Sequence, residues 1–557
     1  MHFPVFRRLP DLQHIDYRAV LFALALYFCV AFNWTVLGDF YSILGALDAY
    51  DPIFAATAPF VIFLGLILVF IPFSFKPVLK PFFTVLILTS APVTYGMVRY
   101  GIVFDRDMIR NFAETNAAEA FSYLTPMAVF WFVMTGLLPA ILLVLTPVRY
   151  ATSFYRGIGQ RIVMAAIIIL CIGTIAAGYF KDYASVGRNN KILGKEIVPI
   201  SYITGTIRYV KGIYRDRSIP FRTIGNDARL VRKTDKPTLM FLVIGETGRA
   251  ASLAANGYDR PTTPFTEKLG TVIAFQNVRS CGTATAISVP CMFSQMSRSN
   301  YDESIARNSE NLLDVIAKAG IPVLWMENDG GCKGVCDRVP TVEISTDDFP
   351  DLCQNGTCHD EAFLEKIDQE ILDMGKGDKL IVMHLIGSHG PTYFERYPEN
   401  FRQFTPDCPR KDIENCTQQE LVNTYDNTIR YTDFVISQMI EKLTEYDDAY
   451  NPALLYLSDH GESLGESGLY LHGAPYIFAP EEQTHIPMMA WMSAAFASTR
   501  HIDRDCINTI SKENSYSQDN LFSTVLGLMQ VETSIYDQKS DIFASCENGK
   551  DLVHADR

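Results

Sequence analysis

Charge is missing from five long stretches of this 557-residue chain: 19–37, 53–75, 81–98, 124–145 and 162–180 contain no Asp, Glu, Lys or Arg. Each approaches the roughly 20 apolar residues that cross about 30 Å of hydrocarbon. Nothing amphipathic is interleaved with them, which excludes buried helices of a water-soluble protein, and a signal peptide cannot account for five. Internal repeats and low-complexity tracts are also absent. With 48% hydrophobic and 20% charged residues, the composition excludes disorder and a collagen-like fibre. Cysteine is scarce early: of 12, only Cys29 and Cys171 precede residue 281, and both lie in apolar runs, where they act as small hydrophobes.

What charge there is falls unevenly. Residues 1–180 carry 11 Lys/Arg against 9 Asp/Glu, residues 181–236 carry 13 against 5, and 237–557 carries the remaining −24 of the net −14. So acidic a C-terminal region is a poor nucleic-acid binder. The loops between the apolar runs are asymmetric: Arg7, Arg8, Arg18, Lys76, Lys80, Arg149, Arg156 and Arg161 on one side face only Arg99, Arg106 and Arg110 on the other. The positive-inside rule makes the first side, with the N-terminus, cytoplasmic, so five spans leave everything after residue 180 outside. Three parts are expected: a membrane domain (1–180), a basic linker (181–236) and an outer domain (237–557). In the linker, Ile200, Ile203, Ile207, Val210 and Tyr214 recur at helical spacing among Arg208, Lys211 and Arg215, which suits a helix in the plane of anionic headgroups or one packed on the soluble domain.

Ten cysteines follow the fifth run, an even number that implies disulfides in an oxidising compartment. Proximity favours 281–291, 332–336, 353–358 and 408–416, leaving 506–546. A Cys-zinc cluster is the competing reading of Cys332, Cys336, Cys353 and Cys358, disfavoured because oxidising spaces consume thiolates.

Apolar runs at 238–244, 380–386, 453–457 and 486–491 have strand length without alternation, as strands covered on both faces do. Helical patterns separate them, at 312–319 and from Leu421 to Leu443. The outer domain is therefore expected to be α/β, a mostly parallel sheet sandwiched by helices, with ligands beyond the carboxyl ends of the strands. There the chain reads Gly245-Glu246-Thr247, Gly387-Ser388-His389-Gly390-Pro391 and Ser458-Asp459-His460-Gly461-Glu462, and the fourth strand is entered through Glu481, Glu482 and His485. Glu246, Asp459 and His460 offer the oxygen and nitrogen ligands of a catalytic zinc. His389 and His472 are candidates for a second metal or for a substrate phosphate. His384, inside the second strand, reads as structural. Hydroxyls come from the segment Ser280 to Cys291, placed where a helix N-terminus would favour phosphate. Composition leaves Thr283, Thr285 and Ser288 as alternatives for a nucleophile that a metal would activate.

These motifs resemble those of the lipid A phosphoethanolamine transferases, a family that includes the mobile colistin-resistance enzymes. The resemblance is carried by Gly245-Glu246-Thr247, Ser280 to Ser294, Cys332-Lys333-Gly334-Val335-Cys336, Gly387 to Pro391, Ser458 to Ser463, Leu471-His472-Gly473 and Gln483 to Pro487. It runs the length of the chain and implies an alkaline phosphatase/sulfatase-like soluble fold. It further implies Thr285 as nucleophile and metal ligand with Glu246, Asp459 and His460, one or two Zn²⁺ ions, His389 and His472 on phosphate, and Lys333, Glu462 and Asn328 in the substrate pocket. The implied reaction moves phosphoethanolamine from phosphatidylethanolamine to a lipid A phosphate through a phosphothreonine-type intermediate, at the bacterial inner membrane, in contact with its lipids and as a monomer. Lowered surface charge and polymyxin resistance would follow.

Three other readings compete. The same chemistry could serve a lipopolysaccharide core heptose, a glycan or a protein. A sulfatase-type hydrolase is disfavoured, because Ala284, Ala286 and Ile287 stand where its Cys/Ser-x-Pro-x-Arg signature would be. A non-catalytic membrane protein would keep its metal ligands in a closed structural site.

Overall fold

The computed structural model describes residues 14–45, 50–114, 123–190, 192–216, 218–231, 236–354, 357–411 and 413–547. Arg7, Arg8, Asp48, Glu119 and Lys191 lie outside the described residues. The chain forms two compact units, residues 1–106 with 124–207, and residues 107–123 with 208–557.

In the first unit, helices Pro52–Phe73, Leu79–Tyr100, Pro126–Leu145 and Phe154–Tyr183 are long and apolar enough to cross a membrane. They match four of the expected spans. Of the apolar window in Phe154–Tyr183, only 11% is buried within the protein, and exposed Ile162, Ile169 and Leu170 belong in lipid, where an apolar surface costs nothing. The first run, expected as one span, is instead a pair of helices, Tyr17–Phe32 and Trp34–Gly45, bent by 60°. The cause is Asn33. Its fully buried amide donates to the Phe28 and Val198 carbonyls at 3.0 and 2.7 Å and accepts the Val198 N–H at 3.0 Å. One polar side chain thereby satisfies backbone groups in two segments, and the preceding turn, Phe28–Phe32, widens to a π-helix.

The second unit is built on an eight-stranded sheet. Its strands are β1 Thr238–Gly245, β2 Ile273–Arg279, β3 Val323–Glu327, β4 Thr341–Glu343, β5 Lys379–His384, β6 Asn451–Ser458, β7 His485–Met492 and β8 Tyr516–Ser517. The spatial order is β8-β2-β7-β6-β1-β5-β3-β4. Every neighbouring pair is parallel except the two made by β7. Every residue of β1, β3, β5 and β6 is buried, so helices cover both faces, as in a doubly wound sheet. Two expected helices are present as Leu312–Lys318 and Gln418–Glu445, each opened by a capping box, Asn311 with Asp314 and Thr417 with Glu420. Because β7 runs against the others, its first residues arrive at the edge where β1, β5 and β6 end. All five expected disulfides are present, 281–291, 332–336, 353–358, 408–416 and 506–546, so no Cys-zinc cluster forms from Cys332, Cys336, Cys353 and Cys358.

Residues 107–114 lie in sequence between two membrane helices yet belong to the second unit. Their anchor is Arg110, 1% exposed, which pairs with Glu114 at 3.0 Å and Glu303 at 2.8 Å. Helix Ile200–Asp216 carries the linker's apolar positions, and Ile207, Val210 and Tyr214 are exposed on it.

Replacing Asn33 by the similarly sized leucine strands the buried N–H and C=O of Val198. Each unsatisfied group costs about 1–3 kcal/mol, so a clear drop in apparent melting temperature of the detergent-solubilised protein is expected. An unchanged melting curve would show that Asn33 does not hold the bend.

Candidate active site

Three parallel strands deliver the central residues. Glu246 follows β1, Asp459 and His460 follow β6, and His384 ends β5. All four are essentially unexposed. Gly387 lets the loop after β5 approach Glu246: its φ is +48°, and a Cβ there would stand 2.7 Å from the Glu246 carbonyl oxygen.

Glu246, Asp459 and His460 each place one ligand atom within 4.8 Å of the others. His460 donates Nδ1–H to the Gly461 carbonyl at 2.9 Å, which leaves the Nε2 lone pair directed at the cluster, 3.2 Å from Asp459 Oδ2 and 3.5 Å from Glu246 Oε1. Burial holds the His460 pKa down at about 4, so the ring is neutral and competent as a ligand. Glu246 is pushed well above the usual carboxylate range by burial and by the charges of Asp459 and Asp329. Glu246 Oε1 and Asp459 Oδ2 are buried and accept no hydrogen bond. Two orphaned carboxylate oxygens and an imidazole lone pair around one point fit a zinc ion well.

Geometry also separates the three hydroxyls. Thr283 donates to the Ala474 carbonyl at 2.6 Å. Ser288 is bound to the Asp459 carbonyl and to Gln518. Thr285 alone faces the cluster, its Oγ1 3.2 Å from Glu246 Oε2 and 3.3 Å from His460 Nε2. Thr285 opens helix Thr285–Met292, whose free N–H groups favour an anion there, and the Cys281–Cys291 disulfide ties the segment before the helix to its end.

The remaining predicted residues are divided. One ring nitrogen each of His389 and His472 lies within 4.8 Å of a Glu246 oxygen, and the His460 and His472 rings are 4.5 Å apart. Burial, followed by His472 and Arg396, keeps the His389 pKa well below its ordinary value. Glu462 is fully buried and turned to His472 Nδ1 at 2.9 Å and to the Tyr393 hydroxyl. Lys333 adopts a positive φ of 52° and donates to the Gly330 carbonyl at 3.2 Å. The Asn328 amide points elsewhere: it donates to the Cys358 carbonyl and to Asp360, at 3.0 and 2.8 Å, and Asp360 in turn receives the N–H groups of Ile386 and Gly387. Asn328 thus braces the loop that shapes the site.

Sequence reasoning missed Asp329 and set His384 aside. Both belong to the cluster: with Glu246 they form a further group whose ligand atoms lie within 4.8 Å of one another. Behind them, Glu327 accepts from the Trp325 indole and from the N–H groups of Asp329 and Gly330. Burial works to raise the Glu327 pKa, yet His384 and these donors hold it at about 2. Burial likewise opposes charge on His384, but Glu327, Asp329 and Asp459 bring its pKa up to about 9. The available signal was β3 itself, an apolar run ending in Glu327-Asn328-Asp329.

Known proteins share the sequence and the fold. The Sulfatase family profile matches residues 238–531, and the profile described as phosphoethanolamine transferase EptA/EptB matches residues 62–214. Phosphoethanolamine transferase EptA of Escherichia coli K12 is 40% identical over 97% of this chain and 99% of its own length. Phosphatidylethanolamine transferase Mcr-1 of Escherichia coli is 37% identical over 75% of this chain and 79% of its own. The solved structure of the integral membrane protein lipooligosaccharide phosphoethanolamine transferase A of Neisseria meningitidis superimposes with a TM-score of 0.93 at 40% identity, covering 96% of this chain and 99% of that one. A match of that extent takes in the apolar helices and the sulfatase-like sheet together: the chain belongs to the EptA family of phosphoethanolamine transferases, membrane enzymes with a soluble domain of the alkaline phosphatase/sulfatase superfamily.

Proposed function

We propose that the protein is a zinc-dependent transferase that moves phosphoethanolamine from phosphatidylethanolamine to a phosphate of lipid A. The observation that carries this reading is the position of Thr285, a buried hydroxyl at a helix N-terminus, within 3.3 Å of two members of a buried ligand set. Glu246, Thr285, Asp459 and His460 would hold the zinc, which when bound supplies Lewis acidity and depresses the pKa of the hydroxyl.

The chain's own residues then divide the work. Thr285 Oγ1 attacks phosphorus, the bond from phosphorus to the diacylglycerol oxygen breaks, and the proton lost by threonine ends on that oxygen. A phosphate oxygen of lipid A next attacks the phosphothreonine, and Thr285 leaves and recovers a proton. The two half-reactions predict ping-pong kinetics. His389, kept uncharged by burial, contributes a neutral N–H to a phosphoryl oxygen, and His472 is oriented for the same space by Glu462. Lys333 adds positive charge. The N–H groups at the head of helix Thr285–Met292 receive the transferred group.

The relatives' names support the transferred group, and the apolar helices suit lipid donor and acceptor. The protein is then a multi-pass resident of the bacterial inner membrane with a cytoplasmic N-terminus, residues 237–557 in the periplasm and 181–236 as a basic linker at the membrane surface. Each transfer places an ammonium beside an anionic phosphate and lowers attraction for cationic peptides such as polymyxin.

Two outcomes check this. Thr285→Ala expressed in a bacterium lacking its own transferase should abolish phosphoethanolamine on lipid A, read by mass spectrometry, whereas the unchanged chain adds it; undiminished addition by the variant would remove Thr285 from the mechanism. Stripping the purified protein with EDTA should reduce transfer by at least about 100-fold, as loss of a metal that activates the nucleophile does, and Zn²⁺ should restore it; full activity after stripping would refute the zinc assignment.

A further inference from the structure

Glu246 serves more than one neighbour. Its Oε2 lies 4.0 Å from His384 Nε2, and Asp329 Oδ2 lies 3.9 Å from the same nitrogen. All three groups are buried. Neither separation is a hydrogen bond. Both suit two ligands of one small cation, since metal bonds of about 2.0–2.2 Å set ligand atoms roughly 3–4 Å apart. The hydrogen-bond inventory agrees: His384 Nε2 is buried without a partner, and so is one oxygen of Asp329, Oδ1.

The surroundings are built in the manner of a metal ligand's support. His384 Nδ1 stands 3.2 Å from both oxygens of Glu327. The Trp325 indole N–H, at 2.7 Å, and the N–H groups of Asp329 and Gly330, at 2.7 and 3.0 Å, lock that carboxylate. A carboxylate accepting Nδ1–H fixes the tautomer and turns the Nε2 lone pair outward, as it does for ligating histidines. Nε2 then points at two buried carboxylates.

We propose that Glu246, Asp329 and His384 form a second divalent-cation site, with Glu246 bridging it to the ion held by Asp459 and His460. The proposal rests on the zinc reading only in sharing Glu246. Two carboxylates and an imidazole suit Zn²⁺ or Mn²⁺. A cation here compensates Asp329, which the first site does not reach, and pins the orientation of Glu246.

The test uses the full-length protein in detergent, stripped of metal and refilled with Zn²⁺ alone. Bound zinc per chain is read by plasma mass spectrometry for the unchanged chain, Asp329→Asn and His384→Gln. The unchanged chain should hold one zinc more than either variant, and Asp459→Asn should lose a different one. Equal zinc in all three chains would overturn the site, and would mean that a protonated His384 is the counter-charge. A zinc anomalous-scattering map of the unchanged chain is the check that does not depend on variants folding: a peak among Glu246, Asp329 and His384 supports the proposal, and its absence refutes it. Transfer is read separately. Two zincs with unmodified lipid A would refute the transferase reading while supporting this site.

Discussion

The structure depends on a concentration of buried negative charge. Glu246, Asp329 and Asp459 are each less than a tenth exposed, and they share one pocket at the strand ends. Carboxylates moved out of water lose several kcal/mol of hydration each, and here like charges raise one another further, as the displaced pKa values of Glu246 and Asp329 record. A fold stable by a net of about 5–15 kcal/mol carries such a cluster only if some carboxylates are protonated or positive charge lies in their midst. The cations proposed above, one held by Glu246, Asp459 and His460 and one by Glu246, Asp329 and His384, would supply that charge. The concentration of charge that makes the pocket costly to fold would favour a metal there, and in the proposed mechanism that metal activates the Thr285 hydroxyl.

The sheet exists, in functional terms, to hold that cluster still. Parallel β1, β5 and β6 end on one edge, so their following residues converge without any one strand having to bend. The antiparallel β7 adds its entrance to the same edge: the carbonyls of Glu482 and Gln483 receive the N–H groups of Glu462 and Gly461, fixing the turn that carries His460. Three of the disulfides tie segments that border the site. Cys281–Cys291 brackets Thr285, Cys332–Cys336 brackets Lys333, and Cys353–Cys358 closes the turn whose carbonyl receives Asn328. These segments lie outside the hydrogen-bond ladder of the eight-stranded sheet, so a covalent staple there limits their movement.

What the sequence disclosed followed from local rules. Apolar runs of span length, all-apolar strands and cysteine pairs close in sequence are decided within a few residues, so the helices, β1, β5, β6, β7 and the five disulfides could be read directly. Residues that act through distant partners could not. Nothing local distinguishes Thr285 from Thr283 or Ser288; only the fold shows that the other two hydroxyls are engaged elsewhere. Asn33 looks like one polar residue tolerated in a span, because Val198, its partner, is 165 positions away. Residues 107–114 read as part of a loop between spans, and the pairing of Arg110 with Glu303 is not visible locally. His384 was legible as structural, and Asp329 followed a strand too short to stand out, so one of the three acidic residues escaped notice.

The distribution of charge along the chain follows from the same chemistry. Residues 237–557 carry a net charge of −24, and the proposed donor and acceptor are both phosphate-bearing lipids. An acidic domain free in solution would be repelled from an anionic surface, and electrostatic steering could not recruit it. At physiological ionic strength, however, that repulsion fades over about 8 Å, so it matters for encounter and little once phosphate lies in the pocket. Apolar helices on the same chain solve the encounter without any long-range attraction. Positive charge is then needed only locally: in Lys333, in the helix N-terminus at Thr285, and in the cations that the buried carboxylates demand. An overall acidic phosphate-transferring domain is consistent because its anchoring and its chemistry are assigned to different parts of the sequence.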